Sequence, residues 1–155
     1  MAADAFYSYY RIEMKIASYH IWNPSESIYG GYYADKLIYY METHFSNQTI
    51  DTYPKEIFVF LTGKDLFSRR YGINIDILGI SCVREDGTEW WYGCIACEIG
   101  VRIIRHELSH LYGASDHDDP NNPIECVMCY YDDSLDWCEE CQNIIWNNKF
   151  RFGFI

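Results

Sequence analysis

The feature that most limits what this chain can fold into is the run His-Glu-Leu-Ser-His at residues 106–110. On a helix, His106 and His110 lie one turn apart on the same face, with their Cβ atoms about 5–6 Å apart. Two imidazoles in that position can bind one metal ion at nitrogen–metal distances of about 2.0–2.1 Å. Glu107 then lies close to a water on that ion without being a ligand itself. The run therefore predicts a helix that holds a zinc ion.

The residues after this run complete the predicted site. Gly113 indicates the end of the helix, because glycine adopts the left-handed C-terminal cap without penalty. Asp116 follows where the chain has turned back, and we expect its carboxylate to be the third zinc ligand. If Asp116 is instead a turn residue that caps the helix end, His117 is the substitute ligand. Either set leaves a fourth position for water, as in catalytic zinc sites.

The cysteines indicate a second metal site. The chain has seven of them, an odd number, so they cannot all pair in disulfides within one chain. Four have the paired spacing C-x2-C-x8-C-x2-C, which is typical of zinc ligands: Cys126, Cys129, Cys138 and Cys141. We expect these four thiolates to bind one structural zinc, with two disulfides as the alternative.

These motifs resemble the metzincin clan of zinc peptidases, whose signature H-E-x-x-H-x-x-G-x-x-(H or D) is followed by a methionine turn. Met128 lies downstream of the histidines, within a run at residues 126–141 that resembles the archaemetzincins, which carry a second, cysteine-bound zinc. The Asp-His pair at residues 116–117 is similar to the snapalysin type instead, where aspartate replaces the third histidine. The resemblance is specific only between His106 and Cys141.

The resemblance implies a zinc-dependent metallopeptidase with one catalytic and one structural zinc. Glu107 would act as the general base and acid, and Met128 would pack beneath the metal. Tyr130 matches the M-x-Y pattern of astacin-like and serralysin-like relatives, where the phenol stabilises the oxyanion. It would thus be a second catalytic residue.

The chain also departs from the archaemetzincin pattern. Those proteins place a cysteine directly after the third zinc ligand, where this chain has His117. Their final C-x-x-C also lies further from the methionine than Cys138 lies from Met128 here. Cys129 is an extra thiol that could restore four ligands. His117 as a ligand of a mixed site is the less economical alternative.

The N-terminal part offers weaker predictions. Residues 6–16 alternate apolar with polar side chains, which is typical of a half-buried strand that opens the sheet. Residues 33–45 have apolar side chains at four-residue spacing and predict a helix. Residues 57–61 are continuously apolar and predict a central strand covered on both faces. The polar stretch up to Asn74 predicts an irregular loop.

The middle of the chain predicts a hairpin that leads to the histidines. Residues 77–83 are expected to form a strand, and Asp-Gly at 86–87 predicts a turn into an antiparallel partner at residues 89–92. The active-site helix is expected to begin between residues 94 and 99. Ser134 is the predicted cap of a last helix.

The elements and the resemblance together imply an α/β (α+β) fold, a metzincin-like single domain over residues 1–155. It would contain a twisted mixed sheet, a backing helix, the active-site helix and a C-terminal helix. The N-terminal sheet and helix part would span about residues 1–112, and the part with the methionine turn and cysteines about 113–155.

Charge restricts the partners. The formal net charge is −11, from 23 acidic and 12 basic residues, which argues against nucleic acid and anionic membrane. A peptide or protein substrate is compatible with it. The chain shows no signal peptide and no apolar run near the ~20 residues that span a bilayer, so we expect a cytoplasmic protein. The oligomeric state is not predicted.

Three classes of function are compatible with these motifs. The first is a zinc peptidase, which Glu107 supports. The second is a catalytically silent, zinc-stabilised binding module of the same fold. The third, a redox or structural protein that uses the cysteine pairs, does not account for Glu107 and the two histidines. The sequence favours the first.

Overall fold

A computed structural model of the chain describes residues 2–15, 32–34, 36, 57–62, 65–70, 73–85, 90–96 and 100–150. The chain divides into two compact units. The first comprises Met1–Met14, Tyr53–Lys55 and Gly100–Ile155, and the second comprises Lys15–Thr52 and Glu56–Ile99. Helices and strands both occur, so the mixed α/β class is confirmed. None of the helices in the described ranges is long and apolar enough to cross a membrane.

The second unit contains the strands. They are β1 (Tyr32–Tyr33), β2 (Ile57–Leu61), β3 (Leu66–Arg70), β4 (Ile73–Ile77), β5 (Gly79–Glu85) and β6 (Trp90–Ala96). Within the described residues they form two three-stranded sheets, in the orders β1-β3-β4 and β2-β6-β5, where one mixed sheet was expected. Each sheet is mixed: β1 pairs parallel with β3 and β2 with β6, whereas β3–β4 and β5–β6 are antiparallel.

The hairpin predicted before the histidines is confirmed, because β5 and β6 pair from Gly79↔Ala96 to Glu85↔Trp90. Residues 57–61 are a strand as predicted, but β2 borders its sheet within the described part of the chain. Val59 and Leu61 are 43% and 41% exposed, so the prediction of a strand covered on both faces is wrong. A continuous apolar run in the sequence does not indicate how many strands or helices pack against that strand.

The predicted irregular loop up to residue 74 is also wrong. β3 and β4 form an antiparallel hairpin, with Leu66 opposite Ile77 and Arg70 opposite Ile73. Polar and apolar residues alternate in β4, which is the pattern of a strand, although Ile73 and Ile75 are 67% and 43% exposed. Exposed Leu78 separates β4 from β5, so residues 77–83 are not one strand. The helix predicted over residues 33–45 lies almost wholly outside the described residues, and the turn at 86–87 lies outside them.

The first unit contains three described helices: α1 (Ala2–Tyr10), α2 (Val101–Leu111) and α3 (Glu139–Asn148). α1 replaces the strand predicted at residues 6–16, and that prediction is wrong. Phe6 and Tyr10, one helical turn apart, are 0% and 2% exposed, so a helical face is buried. The alternation that suggested a strand lies mainly beyond Arg11, where the helix ends with φ at 61°.

An aromatic core joins α1 to α2, the helix that carries the two histidines. The Trp137 ring lies 5.1 Å from the Phe6 ring and 5.2 Å from the Tyr10 ring, both edge-on. Phe6 also lies 5.6 Å from the ring of Tyr112 at the end of α2. The Trp137 indole N–H donates to buried Ser109 Oγ at 2.7 Å. Edge-on aromatic pairs contribute about 0.5–1.5 kcal/mol each beyond their buried area, so this cluster fixes α2 firmly.

The helix α2 begins at Val101, later than the predicted 94–99, and buries one apolar stripe that includes Leu108 and Leu111. It ends at Leu111, with Tyr112 as its C-cap residue, and Gly113 follows in a Schellman motif that terminates the helix, as predicted. The Gly113 N–H donates to the carbonyl of His110 at 2.9 Å, and the next N–H donates to the carbonyl of Ser109 at 3.1 Å. Gly113 has a φ of 92°, which favours glycine.

The helix α3 begins at Glu139 with Cys138 as its N-cap residue, so the predicted cap at Ser134 is wrong. The Ser134 hydroxyl instead accepts the N–H of Asp136 at 3.1 Å, which closes a short turn ahead of the helix. Cys141 and Ile145 form the buried face of α3.

The Gly113 cap generates a stability prediction. In Gly113→Ala, a Cβ would lie 3.3 Å from Asn148 Nδ2 at a φ that disfavours L-residues. We expect the free energy of unfolding to fall by about 1–2 kcal/mol, measured by urea titration. The matched control is Gly100→Ala, where φ is −90° and the nearest atom to the new Cβ is Ile103 Cδ1 at 3.8 Å. That change should be close to zero, and equal losses in both variants would contradict the assignment.

Candidate metal sites

The helix α2 presents its two histidines with their Nε2 atoms facing each other. The Nε2 atoms of His106 and His110 are 3.2 Å apart. His106 Nδ1 donates to the carbonyl of Val127 at 3.0 Å, and His110 Nδ1 donates to the carbonyl of Ala114 at 2.8 Å. Because a carbonyl oxygen only accepts, Nδ1 carries the proton in both rings and each Nε2 presents a lone pair. Histidines that bind metals are commonly oriented in this way.

Asp116 completes a triangle of donor atoms. Its Oδ1 lies 3.0 Å from His106 Nε2 and 3.3 Å from His110 Nε2. Four ligands arranged tetrahedrally around zinc, with bonds of about 2.0–2.1 Å, are separated from one another by about 3.3–3.4 Å. The three atoms therefore have nearly the spacing that zinc imposes, and they leave one corner of the tetrahedron open. Asp116 lies at the position expected for the third ligand.

The charges of this group favour a cation. Burial acts to raise the pKa of Asp116, but the hydrogen bonds that His106 and His110 donate when their Nε2 atoms are protonated outweigh it, and the pKa lies well below its usual range. Burial also acts to lower the pKa of His110, but the hydrogen bonds to Asp116 and to the carbonyl of Ala114 outweigh it and the pKa is raised. The group thus stabilises positive charge at the point where the three donor atoms converge. A divalent metal ion satisfies all three donors at once.

Glu107 lies beside the histidine pair as predicted. Its side chain is only 5% exposed, and its charge is close enough to contribute to the raised pKa of His110. The metal-ligand group contains His106, His110 and Asp116 and does not include Glu107. A buried carboxylate next to the donor atoms, outside the ligand set, is what a general base for a zinc-bound water requires.

Tyr130 lies at the exposed side of the group. Its hydroxyl donates to Asp116 Oδ2 at 3.3 Å, and its ring centroid lies 5.5 Å from that of His106. The side chain is 60% exposed. The structure therefore places the phenol beside the carboxylate of Asp116, at the edge of the donor group. The predicted contact with an oxyanion stays a prediction.

A second group of donor atoms lies in the same unit. Its four donor atoms all lie within 4.8 Å of one another and belong to His117, Cys126, Cys138 and Cys141. His117 Nε2 is 3.2 Å from Cys141 Sγ and 3.3 Å from Cys138 Sγ. Three cysteines and one histidine are a ligand set of structural zinc sites. All four described cysteines of the run carry free thiols, so the alternative of two disulfides is not what the structure shows.

The structure corrects the predicted membership of this group. Cys129 is fully buried but lies outside it, and His117 takes the fourth position. The Cys129 N–H donates to the carbonyl of Cys126 at 2.9 Å, so the chain turns tightly between these cysteines and brings only the Cys126 thiol to the group. His117 is accordingly not at the histidine pair, where Asp116 lies. The mixed ligand set, the less economical alternative from sequence, is the one that the structure assembles.

The thiol of Cys126 is prepared to bind a metal. It accepts the N–H groups of Met128 at 3.4 Å and Cys138 at 3.3 Å. Its hydrogen bond with the Cys141 thiol lowers the pKa of Cys126 to about 5, against the effect of burial. The same bond raises the pKa of Cys141. The thiolate is the form that binds metal, so the lowered pKa favours binding near neutral pH.

The two groups share one short backbone connection. Asp116 belongs to the first group and His117 to the second. The His117 N–H donates to the carbonyl of Met128 at 2.9 Å, and His117 pairs with Cys129 in an isolated parallel bridge. Neighbouring side chains of an extended backbone point in opposite directions, which allows consecutive residues to serve two separate groups.

Sequence reasoning missed the backbone carbonyls that orient the histidines. Val127 and Ala114 supply them, and no residue type at either position marks this role. His117 was detectable, since it occupies the position where the archaemetzincins have a cysteine. Met128 is buried in the same segment, directly after Val127 and two residues after Cys126.

Comparisons of the chain with protein-family models, with curated proteins and with solved structures gave no match. The functional argument therefore depends on the geometry of the two groups and on the motifs in the sequence.

The pair Cys126 and Cys129 tests the second group. Both side chains are fully buried, so their loss to alanine removes similar packing. We expect Cys126→Ala to lose one of about two zinc ions per chain and Cys129→Ala to lose none, measured by elemental analysis of zinc-loaded protein. Loss of zinc in Cys129→Ala with none in Cys126→Ala would support the four-cysteine set instead.

The consecutive residues Asp116 and His117 test how the ligands are divided. Cobalt bound by thiolates shows an intense charge-transfer band, whereas cobalt bound only by nitrogen and oxygen ligands does not. We expect Asp116→Ala to keep this band and lose the cobalt bound to the histidine pair. His117→Ala should weaken the band and leave the other cobalt bound. The opposite pattern would show that His117 is the third ligand of the first group.

Proposed function

We propose that this chain is a zinc-dependent metallopeptidase of the metzincin type, which hydrolyses peptide bonds. The observation that carries the proposal is the donor triangle of His106, His110 and Asp116 with its open corner, beside the buried carboxylate of Glu107. A site with three protein ligands and an open position supports catalysis, whereas structural zinc sites are closed. The signature H-E-x-x-H-x-x-G-x-x-D adds the resemblance to metzincins.

The side chains have distinct roles in this mechanism. His106, His110 and Asp116 would hold the zinc ion, which would supply Lewis acidity to a water and to a peptide carbonyl. Glu107 accepts the proton of the attacking water and passes it to the leaving amine. The carbonyls of Val127 and Ala114 keep the histidines in the required tautomer and orientation. Tyr130 lies where its phenol can contact the substrate as well as Asp116.

An aspartate as the third ligand changes the charge of the site. Three neutral histidines would leave the full charge of the zinc ion, whereas Asp116 neutralises part of it. The water is then less acidic than in a three-histidine site. The buried carboxylate of Glu107 becomes correspondingly more important, because a less acidic water needs a base to remove its proton.

The second group is proposed to bind a structural zinc. Its four protein ligands close the coordination shell, which leaves no position for substrate. In the archaemetzincins a cysteine directly follows the third catalytic ligand, and His117 has that position here. Cysteine and histidine both bind zinc, so the exchange at this position preserves the proposed site. This supports the proposal that the chain is archaemetzincin-like.

Glu107→Gln tests the catalytic role. The amide has the shape of the carboxylate but cannot accept the proton, so cleavage of a quenched fluorescent peptide library should fall by about 10²–10⁴-fold. Zinc content should not change. Glu125→Gln, an exposed residue outside both groups, serves as the control and should keep full activity.

One outcome would favour the silent binding module. If zinc-loaded protein cleaves no peptide in the library, or cleaves it equally well after Glu107→Gln, the peptidase proposal fails. Zinc binding itself would then remain as the property of the site.

A further inference from the structure

Arg102 lies on the same stripe of α2 as the two histidines. It precedes His106 by four residues, as His106 precedes His110, so the three side chains lie along one face of the helix. The Arg102 Nη2 donates to the carbonyl of Cys129 and, at 2.7 Å, to the carbonyl of Asp132. One guanidinium group therefore bridges the two ends of the segment 129–132.

This segment contains Tyr130, whose side chain lies at the first metal site, the group of His106, His110 and Asp116. The Tyr130 hydroxyl donates to Asp116 Oδ2, and Asp116 Oδ1 is the oxygen that faces both histidines. The two oxygens of one carboxylate thus have separate partners. A carboxylate with one oxygen held by a phenol binds a metal through the other oxygen alone. Tyr130 is 60% exposed, and its backbone lies between the two carbonyls that Arg102 binds.

We propose that Arg102 is a positioning residue for the first metal site. By holding the carbonyls of Cys129 and Asp132, it keeps Tyr130 on Asp116 Oδ2 and so makes Asp116 a ligand through one oxygen. The fourth position of the metal then stays open. This inference rests on the proposed metal site, but it does not require peptide hydrolysis.

The chemistry of arginine suits this role. Both hydrogen bonds come from Nη2, whose N–H bonds are held in the plane of the guanidinium and so point in fixed directions at the two carbonyls. A lysine ammonium has the same charge and enough N–H donors, but its flexible stem does not hold them in fixed directions. Arg102→Lys should therefore restore the function only in part.

Arg105 provides a matched control on the same helix. Its Nη1 donates to the carbonyl of Leu135 at 2.7 Å, and its guanidinium lies 5.7 Å from the Trp137 ring. It binds the same loop as Arg102 does, but beyond the segment that carries Tyr130. If the arginines serve only to stabilise the loop, the two alanine variants will behave alike.

The test measures the affinity of each site for metal and the cobalt spectrum in wild type and variants. In Arg102→Ala and Tyr130→Phe, we expect the affinity of the first site for zinc to fall by about 10–100-fold in chelator competition. The cobalt bands of the first site should lose intensity, since a second carboxylate oxygen raises the coordination number. The thiolate-to-cobalt band of the second site should not change, which shows that the unit is folded. Arg105→Ala should match wild type.

The double variant separates positioning from general stability. If Arg102 acts through Tyr130, Arg102→Ala combined with Tyr130→Phe should be no worse than either single change. Additive losses, or an equal loss in Arg105→Ala, would overturn the proposal and leave the metal site intact. If wild-type protein binds no cobalt at the histidine pair, both this proposal and the proposed first metal site are wrong.

Discussion

The convergence of three unprotonated donor atoms is the constraint on which the rest of the first unit depends. His106 and His110 each use Nδ1 to bind a backbone carbonyl, so their Nε2 lone pairs meet the carboxylate of Asp116 at 3.0–3.3 Å. The lone pairs of the neutral rings and of the carboxylate repel one another, and a metal ion, or a proton on His110, whose pKa is raised, offsets this repulsion. The aromatic core around Trp137 and the cap at Gly113 hold the helix and the following turn where this convergence occurs.

The two donor groups are not independent in geometry. Asp116 and His117 are consecutive, and Val127, which orients His106, follows Cys126 of the second group. The bridge between His117 and Cys129 joins these two segments. A shift of one segment would therefore move donor atoms of both groups.

The sequence predicted the parts of the site that depend on local spacing. The four-residue separation of the histidines and the glycine cap follow from helix geometry alone. The sequence offered His117 only as the less economical alternative to Cys129, because a turn between Cys126 and Cys129 and a bridge to a distant segment decide the choice. Arg102 belongs to no motif, since its role depends on backbone carbonyls about 30 residues away.

The fold was predictable to a similar extent. The β5–β6 hairpin was predicted from the Asp-Gly pair in the sequence at residues 86–87, whereas α1 was mistaken for a strand. Phe6 and Tyr10 have helical spacing, but the alternating residues that follow them suggested a period of two. The burial of Phe6 against Trp137 decides in favour of a helix, and this contact joins residues 131 positions apart. Tertiary packing of this kind overrides local pattern.

Anomalous X-ray scattering from crystals of zinc-loaded protein tests the central claim most directly. The account predicts two peaks at the zinc absorption edge. One should lie between His106, His110 and Asp116, and the other among His117, Cys126, Cys138 and Cys141. A peak coordinated by Cys129, or by His117 together with the histidine pair, would contradict the ligand assignment. The absence of any peak at the histidine pair would contradict the account of the site.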